Sequence, residues 1–169
     1  MNIFGIVGWS GSGKTDLVCR IIKKLSQKIL VASIKHSHHN FNVDKKGKDS
    51  FKHIQAGSQE VILFNEYKFA MITQKKKKRI SFDEVINKFS KNTDIILVEG
   101  MKNSPLKKIE VFRSELKKPF LYKNDKNIIA IVADKIDKRI SNINLPVFNF
   151  NETQRICNFI LKEVKNSKI

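Results

Sequence analysis

Gly8-Trp9-Ser10-Gly11-Ser12-Gly13-Lys14-Thr15 fits the pattern G-x-x-x-x-G-K-[ST], and its setting in the chain decides the fold. Ahead of it, Ile3, Phe4, Ile6 and Val7 form a short apolar run that reads as a buried strand. Behind it, Leu17, Val18, Ile21, Ile22 and Leu25 fall at i, i+1, i+4, i+5 and i+8, one face of a helix. Strand, glycine loop and helix in this order make a device for holding phosphate. Glycines let backbone N–H groups turn toward an anion, and the helix start adds its positive end. Lys14 then reaches the outer phosphates, and Thr15 offers a hydroxyl to Mg²⁺. The candidate phosphate-binding residues are therefore Gly11, Ser12, Gly13, Lys14 and Thr15, with Asp16 next in the helix. Asp16 is the exception within the group. A carboxylate there repels an inner phosphate unless it is turned away, and its alternative reading is a favourable acid in a helix's first turn.

Working outward, Ile29–Ile34 reads as a second strand. The polar stretch from Lys35 to Ser50 is too long for a tight connection and marks a candidate functional loop. Phe51–Ala56 is expected to be a short helix stopped by Gly57. Glu60–Phe64 and Tyr67–Thr73 read as a hairpin around Asn65-Glu66. Ser81 and Glu84 have the spacing of a capping box. Ile95–Val98, Ile109–Phe112 and Ile128–Val132 are further strands, Val147–Phe150 is expected at a sheet edge after Pro146, and Glu152–Val164 is an amphipathic helix through Ile156, Phe159, Ile160 and Val164. Strands alternating with helices predict one α/β domain over residues 1–169 with a P-loop NTPase fold: a mostly parallel central sheet flanked by helices, with an inserted β-hairpin.

Composition narrows the function classes. The 169 residues carry 33 Lys and Arg against 16 Asp and Glu, a net charge of +17. Such a surplus suits nucleic acid, acidic lipid or phosphorylated ligands. Only 5 of the cations are Arg, however, and the Lys are spread along the chain, which favours a generally lysine-rich surface. The one charge block, Lys75 to Arg79, comes with no helix-turn-helix, zinc-finger or stacking-aromatic signature, so no specific nucleic-acid partner is expected. Cys19 and Cys157 are too few for a disulfide framework and lack metal-ligand spacing. With no targeting signal and no apolar run near the roughly 18 residues of a membrane span, a cytoplasmic protein without a membrane partner is expected.

Phosphate chemistry of this kind needs an acid near Mg²⁺ at the end of another core strand. Asp94-Ile95-Ile96-Leu97-Val98-Glu99-Gly100 supplies Glu99 at the carboxyl end. Asp94, at the other end and roughly 16 Å away along an extended strand, reads as a structural cap. All four histidines fall between positions 36 and 53. Without accompanying cysteines, His36, His38 and His39 favour an anion and Mg²⁺ neighbourhood over a zinc site. In the same loop Gly47 permits a sharp turn, Lys48 adds a cation, and Asp44 or Asp49 can hold a metal-bound water; a plain solvated loop is the alternative for these carboxylates. Ala133-Asp134-Lys135-Ile136-Asp137 has the outline of a guanine-reading N-K-x-D turn with its Asn replaced, in which Asp137 would accept hydrogen bonds from the base. A solvated loop is the favoured reading there. Arg113 is a candidate cation, with a structural role as its alternative.

The set Gly8–Thr15, Ile34-Lys35-His36 with His38 and His39, Asp44 with Gly47-Lys48-Asp49-Ser50, Ala56-Gly57, Val98-Glu99-Gly100 with Lys102, and Lys108–Arg113 resembles the MobB family of molybdopterin-guanine dinucleotide biosynthesis adapter proteins over nearly the whole chain. The resemblance implies a GTP-binding protein with weak Mg²⁺-dependent GTPase activity, a homodimer, and partnership with the guanylyltransferase that joins GMP to molybdopterin. Molybdopterin itself is a further candidate ligand. On this reading Lys14, Asp49 and Glu99 are the catalytic residues, and Thr15, Asp49 and Glu99 hold the metal. His36, Lys48 and Asp49 join the loop in binding nucleotide. Asp16 replaces the family's usual hydroxyl, Lys46 stands where Pro is common and Met101 where Phe is common. A small nucleotide or metabolite kinase is the rival class; the scarcity of arginines to clamp a transferring phosphate weighs against it.

Overall fold

The expected opening strand is Asn2–Gly8 (β1), with Phe4, Ile6 and Val7 buried. It leads through the glycine loop into Lys14–Leu25 (α1), which buries Leu17, Val18, Ile21 and Leu25, as the spacing requires. Asp16 in its first turn and Lys23 and Lys24 in its last complement the helix dipole. The remaining elements in chain order are Val31–Lys35 (β2), Asp49–Gln55 (α2), Glu60–Phe64 (β3), Phe69–Thr73 (β4), Phe82–Ile86 (α3), Ile95–Glu99 (β5), Lys108–Phe112 (β6), Ile128–Ala133 (β7), Lys138–Ser141 (α4), Val147–Asn149 (β8) and Thr153–Lys165 (α5). This computed structural model describes every residue except 38–40, 42, 76–77, 137 and 167–169, and leaves the side chains of Arg139 and Ser141 undescribed.

The chain divides into two compact units, Met1–His36 with Ser90–Ile169, and Ser37–Phe89. The first holds a six-stranded sheet in the order β2-β5-β1-β6-β7-β8, and every neighbouring pair in it is parallel. β8 lies at the edge, as expected of a strand that follows Pro146. Alternate residues serve opposite faces. Ile109, Val111, Ala130 and Val132 join α1 and α5 in the larger core, with Phe4, Ile6, Ile156 and Ile160. Phe112, Ile131 and Ala133 turn the other way and pack with Ile140.

Three element starts shift by two residues from expectation, and other boundaries by one. Ile29 N–H still bonds Leu25 O at 3.1 Å, and Leu30 N–H donates to Asp94 Oδ2 at 2.8 Å, so β2 starts only after Leu30. The cap role read for Asp94 is thus present. The hairpin of the second unit turns through four residues, not two. Asn65 Oδ1 accepts Tyr67 N–H at 3.0 Å and Lys68 N–H at 2.9 Å, and Asn65 N–H bonds Lys68 O at 2.9 Å. Those bonds consume Tyr67 and Lys68, and β4 begins at Phe69. α2 starts at Asp49, two residues before the expected Phe51, with Lys48 in its N-cap position.

The second unit pairs β3 with β4 antiparallel. The capping box ahead of α3 forms as read: Glu84 N–H donates to Ser81 Oγ at 3.2 Å, and Ser81 N–H to Glu84 Oε2 at 2.8 Å. Lys75, in the charge block, also bonds Glu84, and together these bonds hold its carboxyl at about 2. The hairpin leaves Ile62, Phe64, Tyr67 and Phe69 largely exposed. Among the described residues, no helix is long and apolar enough to cross a membrane.

Candidate functional site at the carboxyl ends of the central strands

Strand order places the site. β1 lies between β5 and β6, so the glycine loop emerges between the residues that end those two strands. Gly13 has φ +93°, a conformation that disfavours side chains. A Cβ there would also meet Phe150 Cε1 at 2.8 Å, so both the backbone turn and the space demand glycine. Ser12 is buried, and its Oγ has no hydrogen-bond partner among the described residues. Helix α1 begins one residue after Gly13, with its first N–H groups at the loop.

Thr15 Oγ1 donates to Glu99 Oε1 at 2.7 Å. Lys35 Nζ, at the end of β2, stands 3.3 Å from Thr15 Oγ1 and 3.4 Å from Glu99 Oε1. Glu99 is itself buried, with 8% exposure. A hydroxyl and a carboxylate oxygen in contact are hard donors of the kind that Mg²⁺ takes, and with the loop they fit a magnesium–phosphate group. Lys14 Nζ donates to Trp9 O at 2.7 Å, curling back over its own loop. Burial lowers its pKa, aided by repulsion from Lys102 and Lys35 and opposed by Glu99. An ammonium so placed gains by meeting an anion.

His36 N–H bonds Glu99 O at 2.9 Å, which sets the His36 backbone beside the candidate metal acid. Asp16 turns to Arg20: its Oδ2 lies 3.0 Å from Arg20 Nε, one helical turn on. Lys48 and Asp49 belong to the second unit, where Asp49 Oδ1 meets Lys52 Nζ at 3.2 Å. Asp44 Oδ1 accepts Lys45 N–H at 2.9 Å in the same unit. Asp134, at the end of β7, accepts Ser114 N–H and Oγ–H, each at 3.1 Å, and Lys135 N–H at 3.0 Å. Its carboxylate thus ties two loops together. Asp137, His38 and His39 lie outside the described residues, and among the described residues no three His, Cys, Asp or Glu side chains group to hold a metal.

Around the site, Trp9, Lys108 and Glu110 have no individual role in the sequence reading. Trp9 Nε1 donates to Pro119 O at 2.7 Å, and Lys102 Nζ sits 3.8 Å from the centre of its ring, so the indole fastens the glycine loop to two neighbouring segments. Lys108 and Glu110 on β6 are fully buried. The Lys108 ammonium donates to Lys102 O at 2.8 Å, Ser104 O at 2.5 Å and Asp125 Oδ2 at 2.7 Å. Glu110 accepts Leu121 N–H at 2.8 Å and Tyr122 N–H at 2.9 Å. Two charged residues in a strand otherwise composed of Ile, Val and Phe were the available signal.

Comparison with known proteins agrees with this architecture. Residues 3–134 match the family model for molybdopterin guanine dinucleotide synthesis protein B. The chain is 42% identical over 147 residues to the molybdopterin-guanine dinucleotide biosynthesis adapter protein of Haemophilus influenzae, covering 84% of this chain and 82% of that one. It is 28% identical to the Escherichia coli protein of the same name, over 95% and 91% of the two chains. A crystal structure of molybdopterin-guanine biosynthesis protein B superimposes with a TM-score of 0.69 at 26% identity, over 95% of this chain and 99% of that one. With its glycine loop standing on a parallel sheet of the same fold, the chain belongs to the molybdopterin-guanine dinucleotide synthesis protein B family, MobB.

Proposed function

We propose that this protein is a cytoplasmic GTP-binding adapter in molybdopterin-guanine dinucleotide synthesis, with weak Mg²⁺-dependent GTPase activity. In that role it assists the guanylyltransferase that joins GMP to molybdopterin. The observation that carries the nucleotide part is the contact between Thr15 Oγ1 and Glu99 Oε1 at 2.7 Å, directly beside the glycine loop. The adapter part rests on membership of the family, whose relatives in Haemophilus influenzae and Escherichia coli bear that name.

In this reading the N–H groups from Gly11 to Thr15 bind the phosphates. Lys14 leaves Trp9 O to reach the outer ones, and Thr15 and Glu99 hold Mg²⁺. When bound, the ion would supply neutralising charge to the phosphates. His36 belongs to the same group, its backbone N–H bonded to Glu99 O, while a nucleotide-binding part for Lys48 and Asp49 rests on the family resemblance alone. Hydrolysis is slow because no glutamine or arginine in the sequence is marked out to activate the attacking water. The exposed Ile62, Phe64, Tyr67 and Phe69 of the hairpin support the homodimer part, since apolar side chains gathered on one element favour association.

The test is calorimetric titration with GTP, ATP and GDP, with and without Mg²⁺. Wild type should prefer GTP and bind it more tightly with Mg²⁺. Lys14→Ala should weaken GTP about 100-fold, the upper range for removing a charge-assisted contact. ATP-dependent phosphorylation of a small acceptor would replace this reading with a kinase.

A further inference from the structure

Arg113 follows β6, on the side of β1 opposite the strand that ends in Glu99. Its Nε is buried and has no hydrogen-bond partner among the described residues. A buried guanidinium N–H left in that condition is costly and is ordinarily matched by an acceptor. The guanidinium carbon lies 5.7 Å from the centre of the Phe150 ring. A Cβ built on Gly13 would stand 3.5 Å from Arg113 Nη2, so the fork reaches the last glycine of the phosphate loop.

The shelf beneath it is fixed from α1. Arg20 Nη1 donates to Phe150 O at 2.7 Å and bonds Thr153 Oγ1, while Asp16 holds Arg20 Nε at 3.0 Å.

We propose that Arg113 is a nucleotide-binding residue whose guanidinium holds the α-phosphate of a nucleoside polyphosphate. This deepens the nucleotide-binding reading above and rests on it. Thr15 and Glu99 would hold Mg²⁺ on the other side of the loop, where it would neutralise the outer phosphates. A cation entering from the β6 side beside Gly13 meets the remaining phosphate, and a planar fork suits two of its oxygens.

The experiment titrates wild type, Arg113→Ala and Arg113→Lys with GTP, GDP and tripolyphosphate. Quenching of Trp9, the chain's one tryptophan, follows binding, because its carbonyl accepts the Lys14 ammonium. Arg113→Ala should weaken all three ligands by a common factor of about 10 to 100. Arg113→Lys should recover only part of the loss, because Lys keeps the charge without the fork. Melting curves without ligand identify a variant that fails to fold; should Arg113→Ala fail, a common loss in a normally folded Arg113→Lys supports the proposal and unchanged affinities overturn it. Loss for GTP alone, or for the nucleotides but not tripolyphosphate, also overturns the α-phosphate assignment. A wild type that binds GTP normally alongside an unaffected Arg113→Ala removes only the role of Arg113. A wild type that binds none of the three removes the underlying reading as well.

Discussion

Glu99 and Glu110 are both buried glutamates on strands that flank β1, yet their surroundings differ in kind. Each oxygen of Glu110 accepts a backbone N–H, from Leu121 and from Tyr122, so its carboxylate is committed to holding a loop. The contacts to the Glu99 carboxylate come from side chains, the Thr15 hydroxyl and the Lys35 ammonium. Side chains can rearrange around a ligand, whereas a backbone clamp cannot let go without disturbing the loop. A buried charge saturated by main chain is therefore read as architecture. One that shares a hydroxyl at the mouth of the glycine loop is a candidate site. Lys108 falls with Glu110: its ammonium is held by two carbonyls and Asp125, and Gly5 on β1 is needed to admit it, since a Cβ there would stand 2.8 Å from Lys108 Cβ.

The largest expected effect is on the architectural side. Lys108→Met leaves two carbonyls and a carboxylate without their ammonium and should cost about 3 kcal/mol of stability, the low end for breaking a buried pair. Denaturant melts measure it, and the folded fraction should keep its affinity for GTP. Impaired binding there would place Lys108 in the site and break the division.

On the functional side, Glu99→Gln should lower GTP affinity about tenfold with Mg²⁺ and leave it unchanged without the ion, as expected for loss of one charged metal ligand. Calorimetry in the two conditions separates these. Equal losses in both would reduce Glu99 to a structural role like that of its counterpart.

The smallest effect concerns pH. Burial raises the Glu110 pKa above its ordinary value of 4.5, against the two backbone bonds and the attraction of Lys102. The folded protein thus binds this proton more tightly than the unfolded chain. The resulting stabilisation is complete below the ordinary value and lost as pH rises through the elevated one. Glu110→Gln should be less stable because its amide faces an N–H donor, and its deficit should shrink as pH rises through that range. Melts at a series of pH values check the slope, and Mg²⁺-dependent GTP binding should be unaffected.

The strand, glycine loop and helix around Gly8–Thr15 are legible in the sequence because local backbone geometry is written in consecutive residues. Glu99 could be found because strand length places it at a carboxyl end. The Asn65–Lys68 turn was read too short because Asn65 closes it with its side chain, a contact that glycine-based turn patterns do not contain. Arg113 stays open in sequence between a candidate cation and a structural residue, because its neighbours, Gly13 and Phe150, are far from it in the chain.

The sequence by itself determined the glycine loop between β1 and α1, the buried faces of α1 and α5, the α/β class and the family to which the chain belongs, since all of these rest on periodicity or on contiguous motifs. Only the tertiary structure decided which charges stand beside the loop and which are bound into the frame. That outcome depends on the order β5-β1-β6, on register and on cross-strand neighbours. Strand order brings Glu99 against Thr15 and Arg113 against Gly13, and sets Lys108 opposite Gly5, across separations that no local pattern spans.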